Sequence, residues 1–208
     1  MPYHCPQPAD IADVHALNRE FLSDLLCQQH KGLQDLDRES GDALTRIAAA
    51  PFLVYELRSP DPGFWDRTFS GASDLLDSVN TGSARDAGQV ASTLGFLWHL
   101  SRRDVHAARL FTGSSRDWCE RLADTPLIHV INRALGAGIR PSLRMRDDDP
   151  RWRSMVRAAS ASDKAHQLVA VMRVFHALLV EGAPTSAVAN AACRSRSPAR
   201  RFAVRDRP

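Results

Sequence analysis

Lysine is almost missing from this sequence: of 27 basic residues in 208, only Lys31 and Lys164 are lysine. An arginine bias of this kind follows genome composition, so arginine abundance alone does not show phosphate recognition, although arginine is the better bidentate donor. Cysteine is scarce too. Cys5, Cys27, Cys119 and Cys193 are scattered and form no Cys-x-x-Cys pair, which excludes a disulfide-dense scaffold and reads as free thiols of a cytosolic chain. No apolar run reaches the roughly 18 residues of a membrane span, and no signal-like segment opens the sequence. The expected location is therefore cytoplasmic, without a membrane partner. Hydrophobic residues at 44% and charged residues at 25% are globular values. They exclude a wholly disordered chain, and 208 residues suffice for a buried core.

The formal charge of +3 is uneven. Residues 194–208 hold six arginines against Asp206 and carry +5, whereas the remaining 193 residues carry −2. With few apolar residues and Pro198, the tail is expected to be disordered.

Helical periodicity dominates the rest. Ile11, Val14, Leu17, Phe21, Leu22, Leu25 and Leu26 recur at helical spacing. Ser40 opens a short helix that Pro51 stops, and Phe52 to Leu57 suits a strand, a helix end or an extended segment. Val90, Leu94, Leu97, Trp98 and Leu100 mark a long amphipathic helix, with a break near Arg102 and Arg103 before Val105 to Phe111. Ser115 caps a helix to Ala123, and Pro126 starts another that Gly136 and Gly138 close. Pro150 starts a helix through Ala159. The last long helix should turn Leu168, Val169, Met172, Phe175, Leu178 and Leu179 inward and end at Gly182. The expected fold class is all-α.

An internal repeat is the strongest organisational signal. At an offset of 75, residues 21–52 and 96–127 share eight identities in 32 ungapped positions, including Phe21 with Phe96, Ser40 with Ser115, Arg46 with Arg121 and Pro51 with Pro126. Chance gives about two. The offset then becomes 88, pairing Arg58 with Arg146, Asp61 with Asp149 and Phe64 with Trp152, so the second copy gains 13 residues between its Pro126 helix and the Asp-Pro turn. The expectation is two related helical lobes about a pseudo-twofold axis, residues 1–82 and 83–193, followed by the tail. With both apolar stripes used internally, the chain is expected to be a monomer.

Residues 94–149 carry a resemblance. Asp104 and Ala107-Ala108 on a helix precede Gly113. Leu122-Ala123 ends a short helix, Leu127 to Ala134 forms an apolar one, and Ser142-Leu143-Arg144-Met145-Arg146-Asp147 follows. This order resembles the FlhD family, a subunit of the bacterial flagellar master regulator, where helix, Gly, Leu-Ala, helix and a Phe-Arg-Phe-Asp stretch occur at similar spacing. Residues 17–62 match it more weakly. The family has one copy and a chain-linking cysteine whose place here falls near Pro141 and Ser142. The resemblance implies an all-α bacterial regulator that works through protein partners and perhaps DNA.

Candidate chemistry is sparse. Cys27 with His30, and His99 with His106, share helical faces, but a closed zinc site needs about four ligands. No metal or cofactor is expected. Ser114 and Ser115 lack a nucleophile-elbow context and read as turn and cap; Cys119 reads as a buried thiol. Asp147-Asp148-Asp149 reads as a solvated turn or an acidic helix start. Gly136-Ala137-Gly138 lacks the strand and lysine of a phosphate loop. Two basic regions remain. Arg140, Arg144, Arg146, Arg151, Arg153 and Arg157 bracket Trp152, and guanidinium with a stacking indole suits nucleic acid; a solvated surface of Arg–Asp pairs is the plainer reading. The tail, with Arg200 and Arg201, suits salt-sensitive nonspecific binding. The expected function is non-enzymatic regulation through protein–protein contacts, in transcriptional control. The rivals are direct nucleic-acid binding and a small helical enzyme with an unrecognised pocket.

Overall fold

The computed structural model describes residues 6–33, 36, 41–59, 63–71, 84–161 and 163–181. Among them α-helix dominates, and the fold is all-α with one two-stranded ribbon. The Ser40 cap, the Pro60-Asp61-Pro62 turn, Gly182 and the tail with Arg200 and Arg201 lie outside the described residues.

In the first half, α1 (Pro8–Cys27) begins with Pro8 in its first turn and buries Val14, Leu17, Phe21, Leu22 and Leu25, the expected stripe. A single 3-10 turn (Lys31–Leu33) leads on to α2 (Gly41–Ala48). The chain then runs extended because Asn18 holds it there. Its amide donates to the Phe52 carbonyl at 2.8 Å, and its Oδ1 accepts from Val54 N at 3.0 Å. Strand β1 (Tyr55–Arg58) and short α3 (Phe64–Phe69) follow.

The second half opens with α4 (Ala84–Arg103), which buries Val90, Leu94, Leu97 and Leu100. Asp104 breaks the helix and caps the next, its carboxylate accepting from His106 N and Ala107 N; α5 (Val105–Thr112) ends at Gly113, whose φ of 65° suits glycine. Ser115 accepts from Trp118 N and caps α6 (Arg116–Asp124). Then come α7 (Leu127–Gly136), β2 (Arg140–Leu143), α8 (Pro150–Ser160) with Asp149 as its cap, and α9 (Lys164–Glu181).

Several elements recur in order. The offset of 75 carries α1 onto 83–102, where α4 lies, and α2 onto 116–123, where α6 lies. The offset of 88 carries α3 into α8. Leu22 and Leu97 are both buried, as are Phe64 and Trp152. Among the described residues two helices of the second half have no helix at the corresponding place in the first: α5 meets the 3-10 turn Lys31–Leu33, and α7, ahead of β2, meets the extended residues from Phe52. Phe52 and Leu127 both follow a proline, yet Asn18 keeps Phe52 extended while Pro126 opens a helix.

The halves interlock. β1 pairs antiparallel with β2, Tyr55 opposite Leu143 and Arg58 opposite Arg140. Arg46 on α2 donates to the Ala159 and Ala161 carbonyls at the end of α8, at 2.9 and 3.1 Å. Its counterpart Arg121 on α6 reaches the other way, to Asp66 Oδ1 on α3 at 2.7 Å. Trp152, fully buried, donates from Nε1 to the Gly32 carbonyl at 2.8 Å. One apolar cluster includes residues from both halves, from Val14 and Leu22 through Leu94 to Met155 and Val174. The described residues therefore form one core across the expected lobe boundary.

The last helix departs most from the sequence reading. Ala170 and Val174 face the core, and Phe175 stacks on Phe52 at 5.8 Å. Leu168, Val169, Met172 and Leu179, expected inward, are exposed. The helix is apolar on nearly its whole circumference, and only one side meets the rest of the fold.

Candidate functional site

The arginine-rich segment comes apart in three dimensions. Arg140 stands exposed at the start of β2. Arg146 is turned to Asp148, Nε to Oδ1 at 3.0 Å, and Arg151 to the capping Asp149, Nη2 to Oδ2 at 2.7 Å. That contact and the backbone N–H bonds at the helix start hold the Asp149 carboxyl below its ordinary value, against the opposing pull of burial. Arg153 is exposed on α8 and borders a shallow depression with Lys31 and Asp147. Trp152 offers no stacking face, because its ring is inside the core. No continuous surface row of guanidinium groups with an aromatic platform results.

Arg144 goes elsewhere. It follows β2, its backbone N–H donating to the Val54 carbonyl at 3.1 Å, between the buried side chains of Leu143 and Met145. Its guanidinium enters a cleft of about 370 Å³ with Leu57, Trp65, Leu97, Ser115 and Trp118 on the walls. Nη1 is without solvent contact and without a hydrogen-bond partner. Burial pulls the group down to about 10, so it remains cationic at neutral pH. Glu56 also lines the cleft, but its Oε1 accepts from Arg58 Nε at 2.5 Å.

The cleft walls are built by β1, α3, α4, α5 and α6. Trp65 of α3 and Trp118 of α6 meet edge to face, with centroids 5.4 Å apart, and Phe69 packs against both. At the floor the Tyr55 hydroxyl lies 2.6 Å from Thr93 Oγ1. The Thr93 hydroxyl donates to the Gln89 carbonyl at 2.7 Å, which makes Tyr55 the donor to Thr93. Burial pushes the Tyr55 phenol up to about 12. Gly113 closes one end; an added Cβ there would sit 3.5 Å from Arg144 Nη1.

The other expected sites stay dispersed. Cys27 is exposed at the end of α1, and His30 Nδ1 accepts from Gly32 N at 3.1 Å and stands 3.6 Å from Asp147. His99 and His106 are exposed. Among the described residues no three His, Cys, Asp or Glu side chains are grouped to hold a metal ion, and no helix is long and apolar enough to cross a membrane. Cys119 is fully buried, and burial pushes its thiol up to about 11. Ser115 is a cap, and the Ser114 N–H donates to Thr112 Oγ1 at 3.1 Å.

The second surface feature is the outer face of α9. Leu168 is 63% exposed, Met172 48% and Val180 62%, with Val169 and Leu179 beside them. At 100° per residue these five fall within one stripe about 120° wide. Ala165 and His176 lie on it, and Arg173 flanks it, all exposed.

Sequence reasoning missed both features in part. In the sequence Arg144 groups with the surface arginines, and no motif there singles out Trp65 or Trp118. A usable signal was the scarcity of tryptophan, four residues in all, with one on each of two short polar helices. Comparison with protein-family models, with curated proteins and with solved structures finds no match for this chain.

Proposed function

We propose that this chain is a non-enzymatic regulatory protein that works by offering the outer face of α9 to a helix of another protein. The observation that carries the reading is the exposed stripe of Leu168, Val169, Met172, Leu179 and Val180. A helix apolar all round is normally buried all round, and a contiguous exposed apolar patch on a globular protein marks an interaction surface. The spacing of three and four suits an amphipathic helix lying along the stripe. Arg173 on the flank favours acidic residues bordering the partner's apolar face. A second copy of α9 is the poorer occupant: an antiparallel pair centred near Met172 brings each flank against its own copy, arginine against arginine. The order of helices in residues 94–149 supports a regulator of FlhD-like kind, and the recurrence of α1–α2–β1–α3 as α4–α6–β2–α8 supports an origin by internal duplication.

The test is a double substitution, Leu168→Glu with Met172→Glu, made in the full chain. Both positions are exposed, so the melting temperature should hold. Co-purification from native cytosol with quantitative mass spectrometry should retain a defined protein on the wild type and lose it on the double variant. Sedimentation at micromolar concentration should show monomer for both. Equal capture by the two chains, or a wild-type dimer that the double variant dissolves, would overturn the reading.

A further inference from the structure

A guanidinium nitrogen sealed from water without a partner is costly unless something supplies the missing contact. Arg144, half-buried as a residue, holds such a nitrogen. Among the described residues it has no ion pair, its Nη1 is sealed from solvent with no hydrogen-bond partner, and the nearest carboxylate in its cleft, Glu56, is held by Arg58. The surrounding walls are apolar and aromatic, from Leu57, Leu97, Trp65 and Trp118. A few convergent polar groups in a largely apolar recess of a few hundred Å³ is the usual form of a small-molecule site.

We propose that this cleft binds a small organic monocarboxylate, its carboxylate paired with the Arg144 guanidinium and its apolar body lying between Trp65 and Trp118. The planar guanidinium fork matches a carboxylate in geometry and charge. The start of α6 reinforces it. Ser115 and Trp118 line the cleft, and the first N–H groups of that nine-residue helix are directed toward its N-terminal end. Glu56 at the wall is already paired with Arg58, which leaves the one positive charge of Arg144 for the ligand; that suits a single negative charge and disfavours a phosphate dianion. The edge-to-face indole pair, with Phe69 behind it, offers a flat or linear hydrocarbon two faces at once. The proposal stands independently of the occupant of α9.

Ligand binding is measured on the full chain by quenching of tryptophan emission and by melting temperature. The probes are phenylacetate, 3-phenylpropionate and hexanoate, each against its neutral amide, with inorganic phosphate as a further arm. At least one carboxylate should quench saturably and raise the melting temperature, and its amide should bind about tenfold more weakly or worse. Arg144→Gln should lose that preference, binding acid and amide alike. Arg144→Met should melt higher than the wild type without ligand, because a half-buried charge with a sealed, unpaired nitrogen has been replaced by an apolar side chain of similar length. The proposal is overturned if no carboxylate of the panel binds in the millimolar range, if acid and amide bind the wild type equally, or if phosphate alone binds. It is also overturned if Arg144→Gln keeps the preference, or if both Arg144 variants fail to fold, which would make the guanidinium a structural group.

Discussion

Helices α4 and α9 are written in the same apolar spacing and end up in opposite situations. In α4, Val90, Leu94, Leu97 and Leu100 all point into the core, where α1, α6, α7 and β2 surround them. In α9, Ala170 and Val174 do that work on one side, while Leu168, Met172 and Val180 stand in solvent on the other. The polar face of α4 is real: Arg85, Ser92, His99, Arg102 and Arg103 lie on the outside. The outer face of α9 is not polar. An apolar stripe records a demand for cover, and the number of stripes on a helix records how many covers it needs. A helix with one stripe is satisfied by its own fold; α9 has two, and the fold supplies one.

The contrast breaks or holds first on stability. Leu94→Ala empties a fully buried site and should cost about 2–5 kcal/mol in urea unfolding. Met172→Ala, half exposed, should stay within about 0.5 kcal/mol. A loss at Met172 as large as that at Leu94 would mean the outer face of α9 is covered in the isolated chain, and the difference between the helices would vanish.

Why the sequence told one helix correctly and the other not follows from the same point. Periodicity located α1, α4, α6 and α8 closely, because caps and prolines fix their ends: Ser115 and Asp149 each accept a backbone N–H at the start of the helix expected there, whereas Asp104, expected on a helix, is the extended residue that caps α5. It could not place the strand partners, since β1 and β2 are 81 residues apart between Arg58 and Arg140 and each is only four residues long. The cleft was less legible still. Arg144 sits among arginines in the sequence, and only the pairing of Arg144 N with Val54 turns it away from them. Trp152 stands among arginines in the sequence as a stacking platform would, but in the fold its Nε1 donates to the Gly32 carbonyl, across the two halves.

A second expected effect, smaller in size, sets the interior against the surface through the two cysteines. Cys119 is buried and Cys27 exposed. Burial raises the Cys119 thiol from 9 to about 11. In the unfolded chain the thiol ionises first, so between about pH 9 and 11 the unfolded state holds fewer protons. Stability is therefore complete below pH 9 and falls as pH rises through this window, by at most about 3 kcal/mol from this group. Tyr55, raised to about 12, adds a fall of the same sign above pH 10, while Arg144, lowered to about 10, acts in the opposite sense there. The clean interval is pH 9 to 10. Urea midpoints measured across it should slope downward in the wild type and in Cys27→Ala, and flatten in Cys119→Ala. An unchanged slope in Cys119→Ala would show that the thiol is not sealed by Leu122 and its neighbours.

The smallest effect belongs to the arginines, and it divides the internal segment from the tail. Arg146 is largely exposed and paired with Asp148; removing it by Arg146→Ala should change stability by no more than about 1 kcal/mol. Its influence on nucleic acid should be equally slight. Asp148 and Asp149 pair with Arg146 and Arg151, Asp147 stands against His30, and the segment has no open indole to stack a base. Residues 194–208, by contrast, carry +5 in fifteen positions, with Arg200 and Arg201 adjacent. Each phosphate contact releases counterions and steepens the salt dependence by about 0.9. Any DNA affinity at low salt should therefore disappear when residues 194–208 are removed, and Arg153→Ala in the full chain should leave sequence preference unchanged. The opposite pattern is distinct: a tail-less chain that still prefers one DNA sequence, and loses about 1–3 kcal/mol of that preference on Arg153→Ala, would make the exposed start of α8 a base reader. In that case the pairing of Arg146 and Arg151 with their aspartates would be a resting arrangement that phosphate displaces, and α8 rather than α9 would be the working face of the molecule.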